Sequence, residues 1–446
     1  MNGNWKKMSA EERCQARFDR WISGEGIEFV SPEAKSAYQT RIQRVIDVIK
    51  LTTPDRVPVW AFHTFMPVSL YDDVNSKDIM YDANTLIELW KRYIKDYDPE
   101  YIADASFISH APILEAMDYK LYKWPGNGVD ENYPYQCIEK DYMKADEYDW
   151  LIQDPSDFWL RGYLPRVFGI LEPLKMLSPV TDIVELPGLV VNFLATGFPE
   201  VQGAFGKLME AGKKVMEFFG TVTACMQELV AQGNVPMAGG FTKAPYDIIG
   251  DTLRGTHGII MDLYRNPAKV IEAQERLVPL AIKMGIAGPN VSGNPIVFIP
   301  LHKGADGFLN DDQFKTYYWP FLKAVIEGLV EEGCVPFCFA EGGYNSRLEH
   351  LKNDLPKGRC IWMFDQTDMK KAKEMLGDVT CIAGNVPISK ILTSTVEDVD
   401  AYCKDLIETC GKGGGYILTS GCAMDEARPD TLRAMLEAGP KYGVYK

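Results

Sequence analysis

The stretch Phe314-Lys-Thr-Tyr-Tyr-Trp-Pro-Phe-Leu-Lys-Ala-Val-Ile-Glu-Gly-Leu-Val330, then Glu-Glu-Gly333-Cys, then Val335-Pro-Phe-Cys-Phe-Ala-Glu341-Gly-Gly343, carries one helix–strand unit. Phe314, Tyr317, Tyr318, Phe321, Leu322, Val325, Ile326, Leu329 and Val330 recur at steps that place them on one helical face. Gly333 follows as a helix stop. Val335 to Ala340 is apolar without a break, as a strand covered on both faces must be. Helices alternating with doubly covered strands build a parallel sheet.

Working outward, similar apolar runs stand at Val57–Ala61, Tyr101–Ala105, Val235–Gly240, Ile296–Leu301, Cys360–Phe364, Val379–Ala383 and Tyr416–Thr419. With Val335–Ala340 they make eight, the number that closes a (β/α)8 barrel. The expected fold class is therefore α/β, a (β/α)8 TIM barrel, with the doubly wound open sheet as the rival. Val399, Tyr402, Cys403, Leu406, Ile407 and Cys410 mark another helix, with Thr395 as N-cap and Gly411 as C-cap. A final helix is expected over Asp430–Glu437.

Residues 1–52 read as an N-terminal helical extension, with Ile42, Val45, Ile46 and Ile49 on one face, and 53–446 as the barrel. The gap between strands two and three, residues 106–234, is too long for a simple crossover. It is rich in aromatic residues and proline (Trp124, Pro125, Tyr133, Pro134, Tyr135, Trp150, Phe158, Trp159), which predicts an ordered cap. The uncharged run Met284 to His302 contains Gly285, Gly288, Pro289, Gly293, Pro295 and Pro300, and reads as a loop followed by a buried strand rather than a membrane helix.

The chain has 446 residues with 47 basic and 62 acidic side chains, a formal charge of −15. That balance argues against a duplex nucleic-acid surface, which needs clustered cations. At 46% hydrophobic and 24% charged it can bury a proper core. Ten cysteines without an apolar signal core at the start read as reduced thiols in a soluble, cytoplasmic protein.

Barrel chemistry projects from the C-terminal ends of the strands. Those ends carry His63, Asp104 with His110 beyond it, Thr242-Lys243, His302-Lys303, Glu341, Asp365, Asn385, and Ser420-Gly-Cys422. His302, Glu341 and Cys422 are metal-ligand types facing one mouth, and three ligands with an open fourth position suit a catalytic zinc. Each also has a structural reading, Cys422 in a tight turn and Glu341 as a helix cap. Asp365, Asn385 and His63 are the catalytic candidates, and Asp104 and Lys303 the substrate-binding ones. Cys338 lies on the opposite side of the pleat from Glu341 and reads as core. Gly411, Gly413, Gly414 and Gly415 precede a strand, so they form an entry turn rather than a phosphate loop.

Asp55-Arg-Val-Pro-Val-Trp60, Phe364-Asp365 with Ala372-Lys-Glu-Met-Leu-Gly-Asp378, Ile382-Ala-Gly-Asn-Val-Pro387 and Gly414-Gly-Tyr-Ile-Leu-Thr-Ser-Gly-Cys422 resemble the uroporphyrinogen decarboxylase superfamily over residues 40 to 440. The resemblance implies the same barrel and two branches: porphyrinogen decarboxylases, and zinc-dependent methyltransferases that work with a corrinoid protein. The decarboxylases carry an arginine-rich stretch after the first strand. Here it reads Ala61-Phe-His-Thr-Phe-Met-Pro67, without arginine, and an eight-carboxylate substrate would need charged partners there. The methyltransferase branch is closer, since Cys422 matches its last zinc cysteine. Its His-x-Cys pair is replaced by Phe339 and Glu341, and His302 supplies a neighbouring imidazole.

A carboxylate–imidazole site is harder than a thiolate one and suits oxygen. The expected activity is therefore an O-demethylase-type methyltransferase. Zinc would act as Lewis acid on a small oxygen-linked donor such as a methoxy-aromatic, and a separate corrinoid protein would accept the methyl group. The chain has no cobalamin-binding Asp-x-His-x-x-Gly motif, so the corrinoid comes with the partner. A homodimer is a further expected partner, and nucleic acid and membrane are not. Two alternatives stand beside this: a metal-free decarboxylase of a smaller substrate held by Lys243, Lys303 or Arg254, and a non-catalytic barrel that binds the corrinoid or its carrier.

Overall fold

The computed structural model describes residues 5–179 and 189–445; of the expected insertion, residues 180–188 lie outside them. Nine strand segments line the centre: β1 (Val59–Trp60), β2 (Tyr101–Ile102), β3 (Val235–Pro236), β4 (Gly240–Phe241), β5 (Ile296–Leu301), β6 (Val335–Ala340), β7 (Ile361–Phe364), β8 (Cys381–Ala383) and β9 (Tyr416–Thr419). Seven make one parallel sheet in the order β1-β9-β8-β7-β6-β5-β4, and β2 pairs with β3 in parallel. β3 and β4 belong to one run. Met237 N donates to Ile102 O at 3.1 Å on one side, and Gly239 N to Ile296 O at 2.9 Å on the other. Eight positions thus curl in barrel order, with the first strand beside the last, which a doubly wound sheet does not do. Among the described residues no backbone hydrogen bond joins β1 to β2; the rings of Trp60 and Tyr101, 5.8 Å apart, fill that seam.

The expected strands at 296–301, 335–340 and 416–419 coincide with the observed ones. Side chains alternate across each strand. Phe298, Phe337, Phe339, Met363 and Ile417 belong to an interior cluster, whereas Val297, Ile299, Cys338, Trp362 and Leu418 join the outer one under the helices. Cys338 is accordingly fully buried core.

The main helices are α1 (Ala10–Ser23), α2 (Pro32–Ile49), α3 (Ala83–Tyr97), α4 (Pro199–Ala231), α5 (Pro267–Ser292), α6 (Trp319–Glu331), α7 (Val396–Cys410) and α8 (Pro429–Tyr442). α1 and α2 close the base of the barrel. Phe18, Trp21, Ile42, Val45 and Ile49 pack into the interior cluster, and Arg44 grips Asp55 through Nε at 2.7 Å and Nη2 at 2.6 Å. Thr395 caps α7 as expected, its side chain accepting from Asp398 N. Between β2 and β3 the chain forms short helices, a small sheet (Tyr122–Pro125, Gly128–Val129, Gln136–Cys137) and the 33-residue α4.

One expectation is corrected. Met284 to Ser292 is not a loop but the end of α5, despite Gly285, Gly288 and Pro289. The glycines let the helix lie directly on the sheet: a Cβ on Gly288 would stand 2.2 Å from Gly239 O, and one on Gly285 2.7 Å from Leu329. Close packing outweighs helix propensity here. No helix among the described residues is long and apolar enough to cross a membrane.

Phe298 is the hub of the interior, its ring 5.2 to 6.5 Å from those of Phe62, Phe107, Phe241, Phe337 and Phe339. Phe298→Ala is expected to remove about 3–5 kcal/mol of stability in urea unfolding. A loss below about 1 kcal/mol would show that the neighbouring rings collapse into the space.

Candidate active site at the barrel mouth

The inward rows continue past the strand ends. Ile296, Phe298 and Pro300 lead to His302; Val335, Phe337 and Phe339 lead to Glu341; Ile361 and Met363 lead to Asp365; Cys381 and Ala383 lead to Asn385. His302 Nε2 faces Glu341 Oε1 at 3.7 Å. Its Nδ1 lies 2.6 Å from Asp251 Oδ2, which also accepts from Lys243 Nζ at 2.5 Å. Lys303 Nζ reaches the other oxygen of Asp251 at 3.2 Å and Thr256 Oγ1 at 2.9 Å. Asp247, fully buried, accepts from the backbone N–H groups of His302 and Lys303 at 3.2 and 3.0 Å and from Tyr318 OH at 2.7 Å. It therefore fixes the turn that carries both residues.

Asp247 and Asp251 were not expected. They sit four residues apart on the turns after β4, and Asp251 lies in the widened π-helical turn Ile248–Leu253. The spacing Asp-x-x-x-Asp just beyond a strand end was the available signal, since it puts two carboxylates on one helical face.

Charge in the cluster follows from burial against pairing. Burial works to raise Asp251, but the hydrogen bonds and charges of His302 and Lys243 outweigh it and hold the carboxyl well below its ordinary range. Burial, then repulsion from Asp251, pushes Asp247 up. Burial works against a proton on His302, yet the hydrogen bond and charge of Asp251 prevail and raise it. Glu341 is raised, first by burial, and His302 opposes. Cys422 is pushed up to about 11 by burial and then by Glu341 and Asp365.

His302, Glu341, Asp365 and Asn385 thus gather at the mouth; the other candidates do not. His63 is buried between Trp90 and Tyr93, ring centroids 5.5 and 5.1 Å away, and burial lowers it to about 4. It follows Val59 and Ala61 in the outward row, so it is corrected from a catalytic candidate to a core histidine. Asp104 caps the turn Ala105–Phe107, accepting from Ser106 N at 2.8 Å. Lys303 is committed to Asp251 and Thr256 instead of a substrate, being likewise one position off the inward row. Asp365 accepts from Gly342 N at 3.0 Å, and Asn385 Nδ2 donates to Asp365 O and Thr367 O at 2.8 and 2.9 Å. Both also line a cleft of about 990 Å³ with Asn345, Thr367, Tyr402 and Thr409. Of the cations named for the decarboxylase alternative, Lys243 and Lys303 neutralise Asp251, and Arg254 pairs with Asp262 at 2.6 Å.

The donor set fits a divalent metal in kind. His302 offers Nε2 while Asp251 orients the ring through Nδ1, an arrangement that commonly positions metal-bound histidines, and Glu341 stands opposite. The expected trio His302, Glu341 and Cys422 is not closed, however. Among the described residues no three His, Cys, Asp or Glu side chains are near enough to hold a metal. Cys422 follows β9, three strand positions from β6 around the ring, and the charges of Glu341 and Asp365 reach its thiol. The residues thus supply a pair, with a thiol across the mouth.

Residues 184–442, more than half of the chain, match the family described as uroporphyrinogen decarboxylase (URO-D). A curated relative, the uroporphyrinogen decarboxylase of Geobacillus thermodenitrificans (strain NG80-2), is 24% identical over 209 residues. These are 46% of this chain and 58% of that protein, so the match spans little more than half of the relative. Among solved structures, a methyltransferase from Methanosarcina mazei superposes with a TM-score of 0.51 at 16% identity, covering 89% of this chain and 96% of that one. At that identity the likeness is one of fold.

Asp251→Asn leaves Lys243, Lys303 and His302 without their shared carboxylate, and a loss of about 3–5 kcal/mol in stability is expected. The pH dependence carries a sign. Because folding raises His302, its pairing stabilises fully below pH 6.5 and fades as pH climbs through the raised folded value. Histidine NMR titration should show that raised value in the parent and its fall in Asp251→Asn. An unchanged titration would show that Asp251 does not hold the ring.

Proposed function

The chain belongs to the uroporphyrinogen decarboxylase family, and from that premise we propose that it is a methyltransferase of the O-demethylase type. It would move a methyl group from a small oxygen-linked donor, such as a methoxy-aromatic, to Co(I) of a corrinoid on a separate protein. The observation that carries this is the His302–Glu341 pair, at 3.7 Å, above an aromatic floor. The fold neighbour from Methanosarcina mazei, itself a methyltransferase, supports it. Porphyrinogen decarboxylation is disfavoured on this chain's own residues. Residues 61–67 hold no arginine, and Lys243 and Lys303 are both turned toward Asp251.

His302 and Glu341 would hold a zinc ion, as a pair of protein ligands. When bound, such an ion supplies Lewis acidity toward the donor oxygen. The chain's residues do the rest. Phe298 and Phe339, their rings 18° from parallel, give an uncharged apolar floor with Phe62 edge-on beside Phe339, which suits an aromatic ring and keeps water from it. Asp251 fixes the His302 ring so that Nε2 points into the mouth. Glu341, as a carboxylate ligand, would be unprotonated with the ion in place, so the oxygen that loses the methyl group takes its proton from solvent. The methyl carbon–oxygen bond breaks as the methyl group passes to the corrinoid of the separate protein, and the alcohol or phenol leaves carrying a proton from solvent.

Elemental analysis of the purified protein should give about one zinc per chain, depleted by His302→Ala and Glu341→Ala. Mixing it with methoxybenzoates and a reduced corrinoid protein should produce the methyl–cobalt spectrum. Glu341→Gln, which removes a metal-binding carboxylate, should lower zinc content and the rate together, the rate by on the order of 10²-fold. Protein purified with zinc present yet metal-free, or methyl–cobalt formed only from thioethers or amines, would overturn the proposal.

A further inference from the structure

Part of the segment between β2 and β3 is strapped to the rim of the barrel. Met143 N donates to Leu253 O at 2.7 Å, Arg254 Nη1 donates to Met143 O at 2.6 Å, and Thr256 N donates to Glu139. These bonds fasten residues 139–143 to the turn beyond β4 that carries Asp251. The short strand just before them, Gln136–Cys137, is thereby brought to the Asp251 side of the mouth, and the charges of Asp251 and Lys243 reach the Cys137 thiol. At the other end of the same segment the charge of Asp425, in the loop after β9, reaches Tyr135. The ring of Tyr135 lies 5.6 Å from that of Phe65, beyond β1. Residues 135–137 thus run along the rim from the β9–β1 side to the turn after β4.

Side chains two apart on an extended chain share a face, so Tyr135 and Cys137 look the same way and Gln136 the other. Tyr122 is the antiparallel partner of Cys137 and joins that face. Its ring meets Tyr135 edge-on at 5.4 Å, is backed by Tyr119 at 6.2 Å, and feels the charge of Asp251. Across the mouth, the side chains of His302 and Glu341 keep 34% and 40% of their surface accessible, so the space beside them is open. Of the ten cysteines eight are buried and Cys422 is half-buried, which leaves Cys137 as the exposed thiol.

We propose that the face formed by Tyr122, Tyr135 and Cys137 is the wall against which the ring of the donor lies, and that it selects single-ring aromatic methyl ethers over aliphatic ones. The proposal rests on the methyltransferase reading and adds to it the residues that choose the donor. A ring held between this wall and the Phe298–Phe339 floor meets aromatic surface on two sides, and an aliphatic ether of the same length gains neither contact. The tyrosines act through binding and touch neither the methyl carbon nor the oxygen that loses it. They should therefore set KM and leave kcat alone.

Alkylation of Cys137 by iodoacetamide, followed in the full chain by peptide mass spectrometry, reports on the wall without any turnover. At about ten times their dissociation constants, 3-methoxybenzoate and 2-methoxyphenol should slow it by on the order of 10-fold, and 2-methoxyethanol at the same concentration should leave it unchanged. Tyr122→Ala and Tyr135→Ala should each raise KM for the ring donors by on the order of 10-fold with kcat near the parental value, and Tyr122→Phe and Tyr135→Phe should restore it. Equal alkylation with and without the ring donors, equal protection by 2-methoxyethanol, or alanine variants that lower kcat alone would each overturn the wall. The protection measurement needs no variant, so it decides the matter even where an alanine substitution unfolds the small sheet. Protection without methyl–cobalt formation would uphold the wall and overturn the methyltransferase reading instead.

Discussion

Every strand of the central ring is covered on both sides, and the pleat then sorts its residues into two rows with different tasks. The inner row fills the barrel with Trp60, Phe298, Phe337, Phe339 and Met363 and, at its upper end, delivers His302, Glu341, Asp365 and Asn385. The outer row seats the helices. One residue of slip in any strand would exchange the two, sending a charge under a helix and a core residue into the mouth. The His302–Glu341 pair is thus held by the same aromatic packing that holds the fold.

That alternation also decides what was legible in the sequence. Ile296–Leu301, Val335–Ala340 and Tyr416–Thr419 were plain because a doubly covered strand is apolar throughout. The pairing of His302 with Glu341 followed from strand ends alone. His63 and Lys303 stand at strand ends too, but one place off the inward row, and counting parity from Trp60 or Phe298 separates them from the site. Asp247 and Asp251 escaped because they come from the turns after β4, where a strand-end rule does not look. The helical end of α5 escaped for another reason: glycine and proline argue locally against a helix, and only contact with the sheet makes Gly285 and Gly288 necessary.

The electrostatics of the mouth turn on one carboxylate shared among three bases. Asp251 binds Lys243, Lys303 and His302 at once, and Asp247 is spent on backbone N–H groups and Tyr318. Unlike a polycarboxylate pocket, what faces the substrate is imidazole, carboxyl and aromatic rings. Within that lining burial raises Glu341 and Cys422 above their ordinary ranges.

The unladdered junction between β1 and β2 has a mechanical meaning. Elsewhere around the ring, spreading two strands breaks backbone hydrogen bonds; here only the Trp60–Tyr101 ring contact and neighbouring packing resist. The ring therefore behaves as a clip rather than a hoop, and its breathing concentrates at that gap. Since β1 leads into residues 61–67 and β2 into Asp104, the gap is a hinge beside the mouth.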